Sequence, residues 1–120
     1  MPRRINNMFQ LPLSVEAWGQ EYFDEVFNRE IKTIDPHQLP LQQGLQHSTY
    51  ANADSLSAVI LRREESEAEI LLKTALFYTG IIAGCSCADD PTPVDEVNEH
   101  CEARFSINKK TAVCSVLLLD

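Results

Sequence analysis

The sequence predicts an α+β fold, an N-terminal amphipathic helix packed on a four-stranded antiparallel meander sheet. Three observations carry this reading. Apolar residues recur at helical spacing between positions 14 and 32, two later segments alternate apolar and polar side chains at period two, and short polar tetrads separate the apolar runs. At 120 residues, with 44% hydrophobic and 23% charged side chains, the chain is expected to close one core as a single domain.

Residues 1–13 show no sustained period and are expected to be irregular. Ser14 can cap a helix, and Val15, Trp18, Tyr22, Val26 and Phe27 then line one face, widened by Ala17, Phe23 and Ile31. Glu16, Gln20, Glu21, Asp24, Glu25 and Asn28 take the other face, so a single helix is predicted over 14–32, with Gly19 weakening it slightly. The connector 33–55 carries Asp35-Pro36, Leu39-Pro40, Gly44, Asn52 and Asp54, a density of breakers that implies loop, with room for a short element around Leu41 to Leu45. A loop of that length is expected to pack across the sheet or form part of a binding surface.

The sheet is expected over 56–120. Leu56 to Leu61 and a longer strand through Ile70, Leu72, Thr74, Leu76 and Tyr78 form a hairpin around Glu64-Glu65-Ser66-Glu67. Cys101, Ala103, Phe105 and Ile107 alternate with His100, Glu102, Arg104 and Ser106, the pattern of a strand with one wet face. A turn at Asn108-Lys109-Lys110-Thr111 predicts that Ile107 faces Ala112, Phe105 faces Cys114, Ala103 faces Val116 and Cys101 faces Leu118. Val113, Leu117 and Leu119 then fall on the opposite side and need a cover, either the connector or a second subunit, and a homodimer is the expected answer.

A net charge of -8 argues against nucleic-acid and anionic-membrane partners, because such binding relies on Lys and Arg displacing counterions from phosphates. The basic start Met1-Pro2-Arg3-Arg4 leads into no apolar stretch of signal length, and the chain reads as cytoplasmic. In a reducing compartment Cys85, Cys87, Cys101 and Cys114 are expected to be thiols.

The segment Gly84 to Glu96 is the strongest candidate for chemistry. Cys85, Ser86, Cys87, Asp89, Asp90 and Thr92 bring thiols, a hydroxyl pair and carboxylates together without apolar periodicity. Cys85 and Cys87 with His100 or Cys101 supply soft ligands suited to zinc, completed by Asp89, Asp90 or water, although zinc sites usually leave two or more residues between paired ligands. As a dithiol the pair would be slowed by Asp89, Asp90, Asp95 and Glu96, which disfavour a thiolate. The acids show no EF-hand spacing, and Thr92-Pro93-Val94-Asp95 also reads as the start of a helical turn. His37 and His47 in the connector could reach this loop and make a Cys-His pair, but no complete hydrolytic or phosphate-binding motif is present.

Asp35 to Leu45, Phe77-Tyr78 and Gly80-Ile81-Ile82-Ala83-Gly84-Cys85-Ser86-Cys87-Ala88-Asp89-Asp90-Pro91-Thr92-Pro93 resemble a pattern found in a group of small bacterial proteins, from about Ile31 onward. That group has no established activity, so the resemblance implies a shared fold unit and a special loop. The expected role is a binding or interaction module for a small-molecule or protein ligand, built on the Gly84 to Glu96 loop. The alternative is a zinc- or thiol-dependent enzyme using Cys85 and Cys87.

Overall fold

A computed structural model describes residues 3–82 and 96–119. Its frame is a curled, fully antiparallel sheet of five strands rather than four: β1 (Arg3–Gln10), β2 (Tyr50–Glu65), β3 (Glu69–Ile81), β4 (Glu96–Asn108) and β5 (Val113–Leu119), in the order β1-β5-β4-β3-β2. Two short helices, α1 (Pro12–Ala17) and α2 (Phe23–Ile31), sit between β1 and β2. The expected four-stranded meander under one long helix is therefore corrected in strand number and in helix.

The fifth strand comes from the segment expected to be irregular. Arg3-Arg4-Ile5-Asn6-Asn7-Met8 hides its period because the ladder slips between Ile5 and Met8, where β1 pairs with Val116 and Ser115 of β5. The slip leaves two extra residues, Asn6 and Asn7, on β1, and because they are polar and interrupt the ladder no apolar alternation marks the strand. It also fills the edge of β5, which the sequence reading left open.

The single helix over 14–32 is broken at Gly19, whose φ of +87° lies in the left-handed region that a helix interior does not use. Ser14 does not cap. Pro12 opens α1 at its first position, where the missing N–H costs nothing, and Ser14 Oγ instead donates to Glu30 Oε1 at 2.7 Å. The Leu13 and Ser14 amides of the same first turn donate to the Glu30 carboxylate at 3.0 and 2.8 Å. A buried glutamate from α2 thus satisfies donors that α1 cannot pair internally.

One face of the sheet holds the core. Ile70, Leu72, Leu76 and Tyr78 of β3, Cys101, Ala103, Phe105 and Ile107 of β4, and Cys114, Val116 and Leu118 of β5 are buried there. Phe23, Phe27 and Ile31 of α2 close it, with Phe27 edge-on to Phe105 at 5.3 Å and Trp18 edge-on to Phe23 at 5.0 Å. Burying each such ring is worth roughly 1.5–3 kcal/mol. The ladder between β4 and β5 pairs Ile107 with Cys114, Phe105 with Val116 and Ala103 with Leu118, two residues from the expected register. The turn is longer than the tetrad implied: Ala112 N donates to Asn108 O at 2.8 Å, and Ala112 takes φ +63°. Because the offset is even, every side chain keeps its expected face.

No described helix is long and apolar enough to cross a membrane.

Candidate functional site

The connector between α2 and β2 lies across the core face where β3 ends and β4 begins. Its path is set by local chemistry. Asp35 Oδ1 accepts from the His37 amide at 2.9 Å and meets His37 Nδ1 at 3.0 Å, starting a short 3-10 turn over Pro36–Gln38. The His37 backbone donation, followed by the side-chain one, holds the Asp35 carboxyl below its usual range. Leu39, Pro40 and Leu41 then turn into the core, and Tyr78 Oη donates to the Leu41 carbonyl at 2.7 Å. Gly44 passes so close to β4 that a Cβ there would stand 2.7 Å from Cys101 Cβ.

Glu99 anchors the far half of the connector. It is 3% exposed and accepts from Gln46 N at 3.0 Å, His47 N at 2.9 Å and Ser48 Oγ at 2.6 Å. Burial pushes its carboxyl up, but the Ser48, Gln46 and His47 donations together outweigh that and lower it, so it remains ionised where the chain needs an acceptor. Gln42 completes the frame. Its Nε2 donates to Thr49 O at 2.7 Å and its Oε1 accepts from Ala51 N at 3.0 Å, tying the connector to the start of β2.

Between this frame and the ends of β2 and β3 runs a groove of about 530 Å3. Leu39, Leu41, Ala51, Ala53 and Ile81 give it an apolar floor, and His37, Gln42, Asn52 and Asp54 give it polar groups. It exists because β2 and β3 lose register between Asn52 and Ser57, which leaves part of β2 without partners on β3. The groove opens beside the strand ends that carry residues 83–95: Thr49 N donates to Ile81 O at 3.0 Å, and Asn52 Nδ2 lies 3.4 Å from Glu96 Oε2.

Cys85, Ser86, Cys87, Asp89, Asp90 and Thr92 lie outside the described residues. His37 stands on the groove wall with its side chain 96% exposed, whereas His47 is exposed and enters the clamp through its backbone amide only. His100 and Cys101 occupy opposite faces of β4. His100 stacks on Phe77 on the outward face with ring centroids 5.9 Å apart, while Cys101 is buried under Pro40 and Gly44. Among the described residues no group of three His, Cys, Asp or Glu side chains could hold a metal ion. Burial pushes the Cys101 thiol up to about 11 and raises that of Cys114 further, so both are packing groups at neutral pH.

Glu99, Gln42 and Tyr78 organise the site without having been singled out by the sequence reading. One signal was available for Glu99: extending the alternation of Cys101, Ala103 and Phe105 back by two positions turns it inward. Searches for similar proteins find no matching family model, no matching curated protein and no matching solved structure.

Proposed function

We propose that this protein is a binding module that receives a small amphipathic molecule in the groove between the connector and the ends of β2 and β3, the strand end from which the chain runs on into the Gly84 to Glu96 segment. The observation that carries the reading is the groove itself, about 530 Å3 and lined by apolar side chains with a few polar groups among them. Sites for small ligands commonly have this size and composition. Asp54 and Asp35, with Glu96 close to Asn52, favour a neutral or cationic polar end on the ligand over an anionic one.

Indole and tryptamine, one ring with and without an ammonium group, are suitable probes for titration of 15N-labelled protein by NMR. Shifts at Ala51, Ala53, Gln42 and Ile81 are expected, with tryptamine binding more tightly. Ala53→Trp, which fills the groove, should abolish them. Shifts absent at millimolar probe, or unchanged in Ala53→Trp, overturn the reading.

A further inference from the structure

We propose that the outward face of the sheet is the interface between two copies of this chain, related by a two-fold axis that runs across the strands. The face left uncovered by helices and connector carries exposed apolar side chains, with Val59 and Phe77 both 46% exposed. Isolated exposed apolar residues are ordinary. Here the ladders set them side by side, and their arrangement matches itself.

Strand pairing divides the face into rows. Arg62, Lys73, Arg104 and Leu117 stand abreast in one row, and Val59, Ala75, Glu102 and Leu119 in the next. Beyond the first row lies Leu71, and beyond the second lies Phe77. A two-fold axis between the two rows lays each row of one copy on the other row of its partner. Leu117 then meets Leu119, Leu71 meets Phe77, and Arg104 meets Glu102, each contact occurring twice as an isologous interface requires.

Charge favours this face over others. The chain carries -8, so two copies repel over most approaches. On this face Arg62, Lys73 and Arg104 stand against Glu64 and Glu102. Arg62 is paired to Glu64 at 3.1 Å and Lys73 to Glu102 at 3.5 Å, while Arg104 has no ion-pair partner among the described residues. Three cations directly opposite one another on neighbouring strands are unfavourable within one copy, and a partner's carboxylate over Arg104 relieves them. Five strands at about 4.8 Å and four rows at about 6.7 Å give roughly 650 Å2 in projection, near the ~800 Å2 per partner of a standard interface.

Light scattering after gel filtration tests the proposal on the full chain. The parent protein should run at twice the chain mass. Arg104→Glu and Glu102→Arg should each weaken the dimer by about tenfold or more, because each sets like charges together at both symmetric contacts. An equimolar mixture of the two variants should regain the dimer, since both contacts then join opposite charges. Both positions are surface sites, and an unchanged circular dichroism spectrum with a cooperative melt confirms folding. Phe77→Ser, a neutral change on the same face, should weaken the dimer as well. A monomeric parent, a dimer insensitive to Arg104→Glu, or a mixture that stays monomeric overturns the proposal.

Discussion

Replacing Glu99 tests whether the connector is clamped by a single carboxylate. In Glu99→Ala, the Gln46 and His47 amides lose their acceptor and Ser48 Oγ loses its 2.6 Å partner. A buried donor left unpaired costs about 1–3 kcal/mol; the two amides are part-buried, which places each in the lower half of that range, about 1–2 kcal/mol, and the serine hydroxyl can rotate toward water, so the total is roughly 2–4 kcal/mol. In Glu99→Gln the remaining oxygen can keep the His47 and Ser48 donors, but the new amide nitrogen faces the Gln46 N–H, donor against donor. The expected cost is therefore about half as large. Urea unfolding at pH 7 followed by circular dichroism measures both, and amide exchange at Gln46 and His47 should accelerate in step. The pH dependence has a fixed sign. The folded carboxyl is lowered from 4.5, so its contribution is present above that value and is lost as pH falls through the lowered one, where parent and Glu99→Gln should converge. A Glu99→Ala cost under about 0.5 kcal/mol, the range of neutral surface changes, or unchanged protection of both amides would refute the clamp.

Gly19→Ala distinguishes one helix from two by sign: in a continuous helix it would stabilise by about 0.8–1 kcal/mol, whereas at φ +87° it should destabilise by about 1–2 kcal/mol in the same urea assay. Alkylation of native protein at pH 8, counted by intact mass, should leave Cys101 and Cys114 unmodified because burial keeps both protonated, and any rapid labelling should map to Cys85 or Cys87. The same Cys101 shift makes the folded state lose stability as pH rises from the ordinary thiol value of 9 through about 11, visible as a lower midpoint in alkaline urea unfolding.

What the sequence made legible is what period two encodes. β3, β4 and β5 and the inward face of each follow from alternation alone, and the two-residue error between β4 and β5 left that face intact. β1 was hidden by its bulge at Ile5 and Met8, and the break at Gly19 by an apolar stripe that runs unbroken through both helices. β2 was read too short because its first half, from Tyr50 to Ser55, alternates weakly and loses its register on β3. The connector frame was illegible for a different reason. Its bonds join Glu99 to residues more than 50 positions away, and Tyr78 to one 37 positions away, so no local window contains both partners.

Among the segments that rest on the core face without strand pairing, α1 and the connector are each fastened by one buried glutamate from a neighbouring element. Glu30 takes the first-turn amides of α1, and Glu99 takes consecutive amides of the connector. A carboxylate suits this task because it is acceptor-only and its two oxygens can serve three donors at once, whereas a neutral amide has one acceptor oxygen and turns donors of its own toward the rest. The consequence for binding is quantitative. A clamp worth about 2–4 kcal/mol keeps the open population of the connector at roughly 3% or less, so a ligand meets a groove already formed and loses almost no affinity to a conformational equilibrium. Weakening Glu99 raises that open fraction. Any loss of tryptamine affinity in Glu99→Ala that exceeds the measured loss of clamp stability would then have to come from direct contact with the ligand, and Glu99 lies under the connector and is not among the residues that line the groove.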